Sequence, residues 1–362
     1  MKILVLTEDY PNNDGGVTLM YVHTRNVYYH EHGVEVDNLS FSVKNEYIID
    51  GIRVINLEIY EKENNRYDLL VLHAANLRHH YKFLKKYEDK FSKLVFFYHG
   101  HEVLKIHSVY SKPYPYVHEN KLKVLLQNIY DDYKLYIWRK YLPKVCSKSW
   151  FVFVSNWMLE EFEKWTRIKR DSFNERYSIT YNCVAKDFEE NQYSPDQPIE
   201  YDFVTIRGNL DGSKYSVDLV NEMAKKTPNA RFLVVGKGNF FKFNEKAENI
   251  EWWDRTLSHD TIVNVLNKSR YALMPTRTDA QGLMMCEMAA FGIPVITSNI
   301  PVCHEVFDGF QNVEFIDNDC VPDLSSFLEK EMSCQKDTRF YCEKTVGREL
   351  KLLQSLVKGA KE

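Results

Sequence analysis

Apolar runs of strand length alternate with amphipathic stretches along most of the chain. In the first half, runs at 2–7, 34–40, 69–72, 93–98, 150–154 and 179–181 predict strands, and helical spacing predicts helices over 17–31, 74–87 and 156–165. Strands that stay apolar at consecutive positions are buried on both faces, so the pattern predicts a parallel sheet with helices on either side. A polar, acidic stretch at 186–198 breaks the alternation and reads as an interdomain linker. The pattern then restarts, with strands predicted at 202–206, 231–235, 271–274 and 294–297 and helices at 215–226, 258–267 and 282–291. The expected fold class is therefore α/β: two Rossmann-like, doubly wound domains, 1–185 and 186–344, facing a central cleft. Leu350, Leu352, Leu353 and Leu356 form a helical stripe, and the segment 345–362 is expected to pack back on the first domain.

Composition narrows the picture. The 362 residues are 44% hydrophobic, enough for a sizeable core, and a net charge of -4 gives no global field that would draw nucleic acid. The 7 cysteines are scattered without a C-x-x-C pair, which fits a reducing compartment and argues against a disulfide framework or zinc ribbon. The apolar run after Met1 is too short for a signal peptide, and no stretch approaches the roughly 18 apolar residues of a membrane span. The expected location is the cytoplasm, including a peripheral position on the inner face of a membrane. Glycine is scarce, 14 in all, so where it occurs it carries information.

Most of those glycines punctuate predicted strand ends. Gly15 and Gly16 follow the first strand, Gly208 and Gly212 the strand at 202–206, Gly236 and Gly238 the strand at 231–235, and Gly282 opens a helix. Glycine there serves ordinary turns, and it also lets backbone N–H groups approach an anion at a helix N-terminus. The common nucleotide fingerprints fail: Gly236-Lys237-Gly238 lacks the third glycine of G-x-G-x-x-G, and Gly208 to Lys214 lacks P-loop spacing. His99-x-His101 has no acidic third ligand at a recognisable spacing, so no metal or other cofactor is expected.

The most informative stretch runs from Pro275 to Thr297. Asp279, Gly282 and Glu287 are followed by Gly292-Ile293-Pro294-Val295, an acid-x7-acid element leading into Gly-x-Pro-Val. This resembles the signature of the retaining, nucleotide-sugar-dependent glycosyltransferases of GT-B fold, family 4 (glycosyl transferases group 1), with Asp279 where the family has Glu. Other matches are Gly15-Gly16 before a helix, Glu31-His32-Gly33-Val34-Glu35-Val36, Tyr98-His99-Gly100, Phe153-Val154-Ser155, and Tyr181-Asn182-Cys183-Val184 with Cys in place of Gly. Arg207 and Lys214 fall where the family has an arginine and lysine pair, at longer spacing.

The resemblance implies roles. Arg207 and Lys214 would hold the diphosphate as negative charge develops on it, assisted by the N–H groups of Gly16, Gly282, Leu283 and Met284 next to Gly15, in place of a metal. Glu287 would accept the ribose hydroxyls, Asp279 would orient the donor sugar, and His99 would hydrogen-bond that sugar near C6. The implied activity moves a hexose or N-acetylhexosamine, UDP-linked, to a glycan or lipid-linked acceptor in surface polysaccharide synthesis. Two rivals share the architecture: a sugar-nucleotide epimerase, and a catalytically weak nucleotide-sugar-binding protein.

Between His101 and Trp150, tyrosines and tryptophans concentrate together with lysines and arginines. Within 120–141 the stripe Leu122, Leu125, Leu126, Ile129, Tyr133 and Ile137 either packs on the sheet or lies on an anionic membrane surface.

Overall fold

The computed structural model describes residues 1–16 and 18–359. It divides into two compact units, Met1–Lys105 with Ile129–Cys183 and Cys342–Glu362, and Ile106–Asn128 with Val184–Tyr341. The first unit is built on strands β1 (Lys2–Thr7), β2 (Glu35–Ser40), β3 (Tyr47–Ile49), β4 (Ile52–Ile55), β5 (Leu69–His73), β6 (Leu94–Tyr98), β7 (Ser149–Phe153) and β8 (Tyr177–Ile179). Their order in the sheet is β3-β4-β2-β1-β5-β6-β7-β8. All neighbours are parallel except β3 and β4. Strands β1, β5, β6 and β7 are buried almost throughout because helices cover both faces.

The second unit carries β9 (Tyr201–Asn209), β10 (Phe232–Lys237), β11 (Ile250–Trp253), β12 (Ser269–Met274), β13 (Val295–Ser298) and β14 (Val313–Ile316). They form a wholly parallel sheet in the order β11-β10-β9-β12-β13-β14. In each sheet the winding reverses once, between β1 and β5 and between β9 and β12. In doubly wound sheets, ligands bind outside the carboxyl ends of the strands at such a reversal.

Four differences from the sequence reading have physical causes. The hairpin β3-β4 turns on Asp50 and Gly51, both at positive φ (45° and 78°), the Asp-Gly signal of a tight turn that the search for apolar runs passes over. The expected linker at 186–198 is packed structure: Lys186–Glu190 is helical, Phe188 is fully buried beside Phe291, and the Tyr193 hydroxyl donates to the Ser269 carbonyl at 2.9 Å. Two aromatic anchors therefore tie a polar stretch into the second unit.

The segment Ile106–Asn128, placed by sequence in the first domain, clusters with the second unit. There Tyr114 donates to Asp218 at 2.9 Å, Tyr116 donates to Asp211 at 2.7 Å, and Phe240 lies against both tyrosine rings. The helix expected over 74–87 forms only at His80–Tyr87, because Ala74 sits at φ 49° and the Asn76 side chain caps the His79 N–H at 2.8 Å. The first helix is Met20–Glu31; Val17, where it was expected to begin, lies outside the described residues, as do 360–362.

The helix Val346–Lys358 belongs to the first unit, with Leu353 fully buried. Its Glu349 carboxylate accepts from Arg25 Nε at 3.0 Å and the Tyr29 hydroxyl at 2.8 Å, and both Arg25 and Glu349 side chains are out of solvent.

Candidate functional site

In the second unit, seven of the residues singled out by sequence gather at the winding reversal. Arg207 leaves the end of β9 only 6% exposed. One guanidinium nitrogen donates to the Pro275 carbonyl at 2.7 Å, while the buried Nε has no hydrogen-bond partner. Burial lowers its pKa, opposed chiefly by the charge of Asp279. Close approach of β9 and β10 depends on Gly236 at φ 151°, where a Cβ would lie 2.2 Å from the Arg207 carbonyl oxygen.

Lys214 stands in the short turn Ser213–Tyr215. Its Nζ lies 4.7 Å from the Tyr215 ring centre and 5.6 Å from that of Tyr110, and the Arg207 guanidinium carbon is 5.0 Å from the same Tyr215 ring. The Lys214 carbonyl accepts from the Arg277 N–H at 2.8 Å, which joins this turn to the loop after β12. Arg277 in turn makes a two-pronged bond to Asp218 at 2.8 and 2.7 Å, and Tyr114 completes the cluster.

Beyond β12, Asp279 accepts its neighbour's N–H, that of Ala280, at 2.8 Å, shaping the turn into the helix Leu283–Phe291. Gly282, at φ 75°, caps that helix. Leu283 and Met284 open its first turn, where their N–H groups precede the first bond to the Gly282 carbonyl, made by Met285 at 3.0 Å, and lie at the positive end of the helix dipole. Glu287 is 4% exposed, and its Oε1 accepts a long bond, 3.3 Å, from the Ala185 N–H. Burial pushes this carboxyl up to about 8, so it is largely protonated at neutral pH.

The first unit holds the remaining three. His99 follows β6, and its Nε2 is 3.0 Å from Nδ1 of His73 at the end of β5. Its Nδ1 is buried without a hydrogen-bond partner, and the Tyr21 ring lies 4.6 Å away. Desolvation and the nearby Arg25 charge hold both imidazoles well below their usual range, so the pair is neutral at pH 7. The backbone N–H groups of His99 and Gly100 both donate to the Glu102 carboxylate, which fixes the loop. Gly15 is at φ 90° with open space around it. The Gly16 N–H is already engaged by the Asn12 side chain at 3.0 Å, so in this conformation it is not presented to a ligand as expected.

Sequence reasoning missed several polar residues here. His73 ends an apolar strand, and only the sheet order sets it beside His99. Arg277, Asp218 and Tyr114 come from three separate segments. At the reversal between β1 and β5, Glu8 accepts from Asn76 Nδ2 at 2.7 Å and lies 2.9 Å from His79 Nδ1, with Phe41 stacked on the His79 ring. None of these has a motif spacing that could have announced it.

Residues 203–329 match the family model described as Glycosyl transferases group 1. A 99-residue stretch is 32% identical to the O-antigen biosynthesis glycosyltransferase WclY of Escherichia coli, covering 25% of this chain and 27% of that relative. Sucrose-phosphate synthase from Thermosynechococcus elongatus superposes with a TM-score of 0.72 at 13% identity, over 99% of each chain. Anabaena HepE, solved in complex with UDP and glucose, superposes with a TM-score of 0.58 at 12% identity, over 99% of this chain and 97% of that one. At these identities the structural likeness establishes the fold alone. The fold is GT-B, two Rossmann-like α/β domains, and the second unit carries the segment that matches the group 1 glycosyl transferases.

Proposed function

We propose that the chain is a retaining, metal-independent glycosyltransferase. It moves a hexose or N-acetylhexosamine from a UDP-sugar to a glycan or lipid-linked acceptor in surface polysaccharide synthesis. The observation that carries this reading is the buried, under-bonded Arg207 guanidinium. It shares the Tyr215 ring with Lys214 and feels the charge of Asp279, beside the N-terminus of the helix that carries Glu287. The matched family and the O-antigen relative support the class of reaction, and UDP in the HepE complex supports the donor.

In this mechanism the bond between the sugar's anomeric carbon and the diphosphate oxygen breaks. Arg207, Lys214 and the first-turn N–H groups stabilise the charge that the leaving diphosphate gains. The acceptor hydroxyl attacks the same face of the anomeric carbon, and its proton passes to a departing phosphate oxygen, so configuration is retained. Asp279 orients the donor sugar, Glu287 accepts hydrogen bonds from the ribose hydroxyls of the nucleotide, and neutral His99 hydrogen-bonds the sugar without adding a competing positive charge. The acceptor is met at the inner face of a membrane through the region 120–141, where Leu122, Leu125, Leu126, Ile129 and Tyr133 all face solvent.

The test follows UDP release from a panel of UDP-sugars with and without glycan acceptors. Glu287→Ala should abolish donor binding, and Asp279→Ala should leave binding within a few-fold but slow transfer by about a hundredfold, the size seen when one transition-state contact is lost. Donor affinity equal to wild type in Glu287→Ala would refute the site. Isomerised nucleotide sugar without acceptor would favour an epimerase, and binding without UDP release from any sugar would leave only a binding protein.

A further inference from the structure

In the first unit the winding reverses between β1 and β5, the place where a doubly wound sheet takes its ligand. Glu8, Asn76 and His79, which gather there, have no part in the proposed transfer. Glu8 directly follows β1, Phe41 follows β2, and Asn76 and His79 lie in the loop after β5. That loop is tightly specified. Ala74 holds a left-handed φ of 49°, and the Asn76 amide works in two directions: its Oδ1 accepts the His79 N–H at 2.8 Å and its Nδ2 donates to Glu8 Oε2 at 2.7 Å. A non-glycine residue kept at positive φ beside a ligand-binding reversal points to a loop shaped for binding.

The His79 ring is fixed in plane and in tautomer. Phe41 stacks on it, 5.1 Å between ring centres at 24°. Its Nδ1 lies 2.9 Å from both Glu8 oxygens, and a carboxylate only accepts, so Nδ1 carries the proton. In the neutral ring Nε2 is then an acceptor, and it makes no hydrogen bond among the described residues, on a side chain 30% exposed. Burial raises the Glu8 carboxyl, but the hydrogen bonds from His79 and Asn76 outweigh it and hold the group below its usual range, so it is ionised at neutral pH. Glu8 keeps 45% of its side chain exposed, and its oxygens offer about four lone-pair sites to the two side chains that donate to it.

The pair therefore turns spare acceptor capacity toward solvent, and it suits a partner that brings two hydrogens, such as neighbouring hydroxyls of a sugar. A phosphate or carboxylate would set acceptors against acceptors and add a second negative charge beside Glu8. A metal ion would lack ligands, since no group of three His, Cys, Asp or Glu side chains able to hold one exists among the described residues. We propose that Glu8 and His79 select the acceptor glycan, each accepting a hydrogen bond from one of two neighbouring hydroxyls of an uncharged hexose or N-acetylhexosamine. The proposal rests on the transferase reading for calling that sugar an acceptor, and its binding is measured without turnover.

The experiment follows the full chain by saturation-transfer NMR, with UDP present, against the methyl pyranosides of glucose, galactose, mannose and N-acetylglucosamine and the matching uronic acid glycosides. UDP-glucose affinity is measured beside it. Wild type should bind at least one uncharged glycoside, and its uronic acid counterpart at least about tenfold more weakly. Glu8→Gln, isosteric on a half-exposed side chain, and His79→Phe, which keeps a ring against Phe41, should each weaken that glycoside by about tenfold while UDP-glucose affinity stays within about twofold. One monodeoxy form of the glycoside should bind wild type more weakly and lose nothing further on His79→Phe. Should His79→Phe lose UDP-glucose as well, its fold is at fault and Glu8→Gln decides. No uncharged glycoside bound by wild type, unchanged glycoside affinity in either variant, or a uronic acid form bound as well as the neutral one would overturn the proposal. Glycoside binding lost in the variants, with UDP released to no acceptor by wild type, would count against the transferase reading and leave the sugar site standing.

Discussion

At the scale of single residues, Glu287 makes the sharpest prediction. Its folded-state pKa of about 8 lies above the ordinary carboxyl value, so the free protein keeps a proton there that the bound state must lose if ribose hydroxyls donate to the carboxylate. Binding of UDP-glucose, which has no group titrating near neutrality, should therefore tighten by up to about tenfold per pH unit from 6 toward 8 and level off above. Glu287→Gln should lose that slope, as calorimetry across pH would show. The same raised pKa means that stability is lost as pH rises from the unfolded carboxyl value toward 8, since the unfolded chain gives up this proton first. A thermal melt of Glu287→Gln should show a flatter decline over that window. His73 offers a second case. Its Nδ1 lies 3.0 Å from Nε2 of His99, so in the proposed transfer it is a positioning residue that holds the His99 ring: His73→Phe should lower kcat by about tenfold with donor KM unchanged, and His73→Asn should recover part of the loss.

At the scale of elements, two helix ends stand out. Gly282→Ala would force a side chain into a left-handed backbone with its Cβ 2.0 Å from the Met285 methyl, costing about 1 to 2 kcal/mol and turning away the first-turn N–H groups. Nucleotide affinity should fall more than stability, a difference that denaturation and calorimetry together would resolve. The C-terminal helix is held by the Arg25–Glu349 pair, both partners out of solvent. Glu349→Ala leaves an uncompensated guanidinium in the core and should cost about 3 to 5 kcal/mol in urea denaturation, whereas Arg25→Met with Glu349→Leu should restore most of it.

Elements were also where the sequence was most legible. Buried parallel strands such as β1, β5 and β6 declare themselves because burial on both faces leaves no polar position to blur the run. The hairpin β3-β4 and the strands β11 and β14 were missed because they are short and partly exposed. The apolar stripe of Lys121–Val145 shows the limit of periodicity: a helical repeat establishes that a face exists and says nothing about what covers it.

At the scale of the whole molecule, a ligand that binds only the folded chain must raise its melting temperature. A cognate nucleotide sugar at a hundred times its dissociation constant should add about 2.7 kcal/mol, visible in a thermal-shift screen. Arg207→Ala should abolish the shift for nucleotide sugars; an undiminished shift would place the ligand elsewhere. The sequence by itself determined the two α/β halves and, through Asp279, Gly282, Glu287 and the Gly-x-Pro that follows, the candidate donor site. All of these lie on one strand, loop and helix, whose local spacing fixes their geometry. The tertiary structure alone decided that Ile106–Asn128 joins the second unit, that Tyr114 and Arg277 converge on Asp218, and that His73 meets His99. Those pairings come from sheet order and side-chain packing between distant segments, which no spacing along the chain encodes.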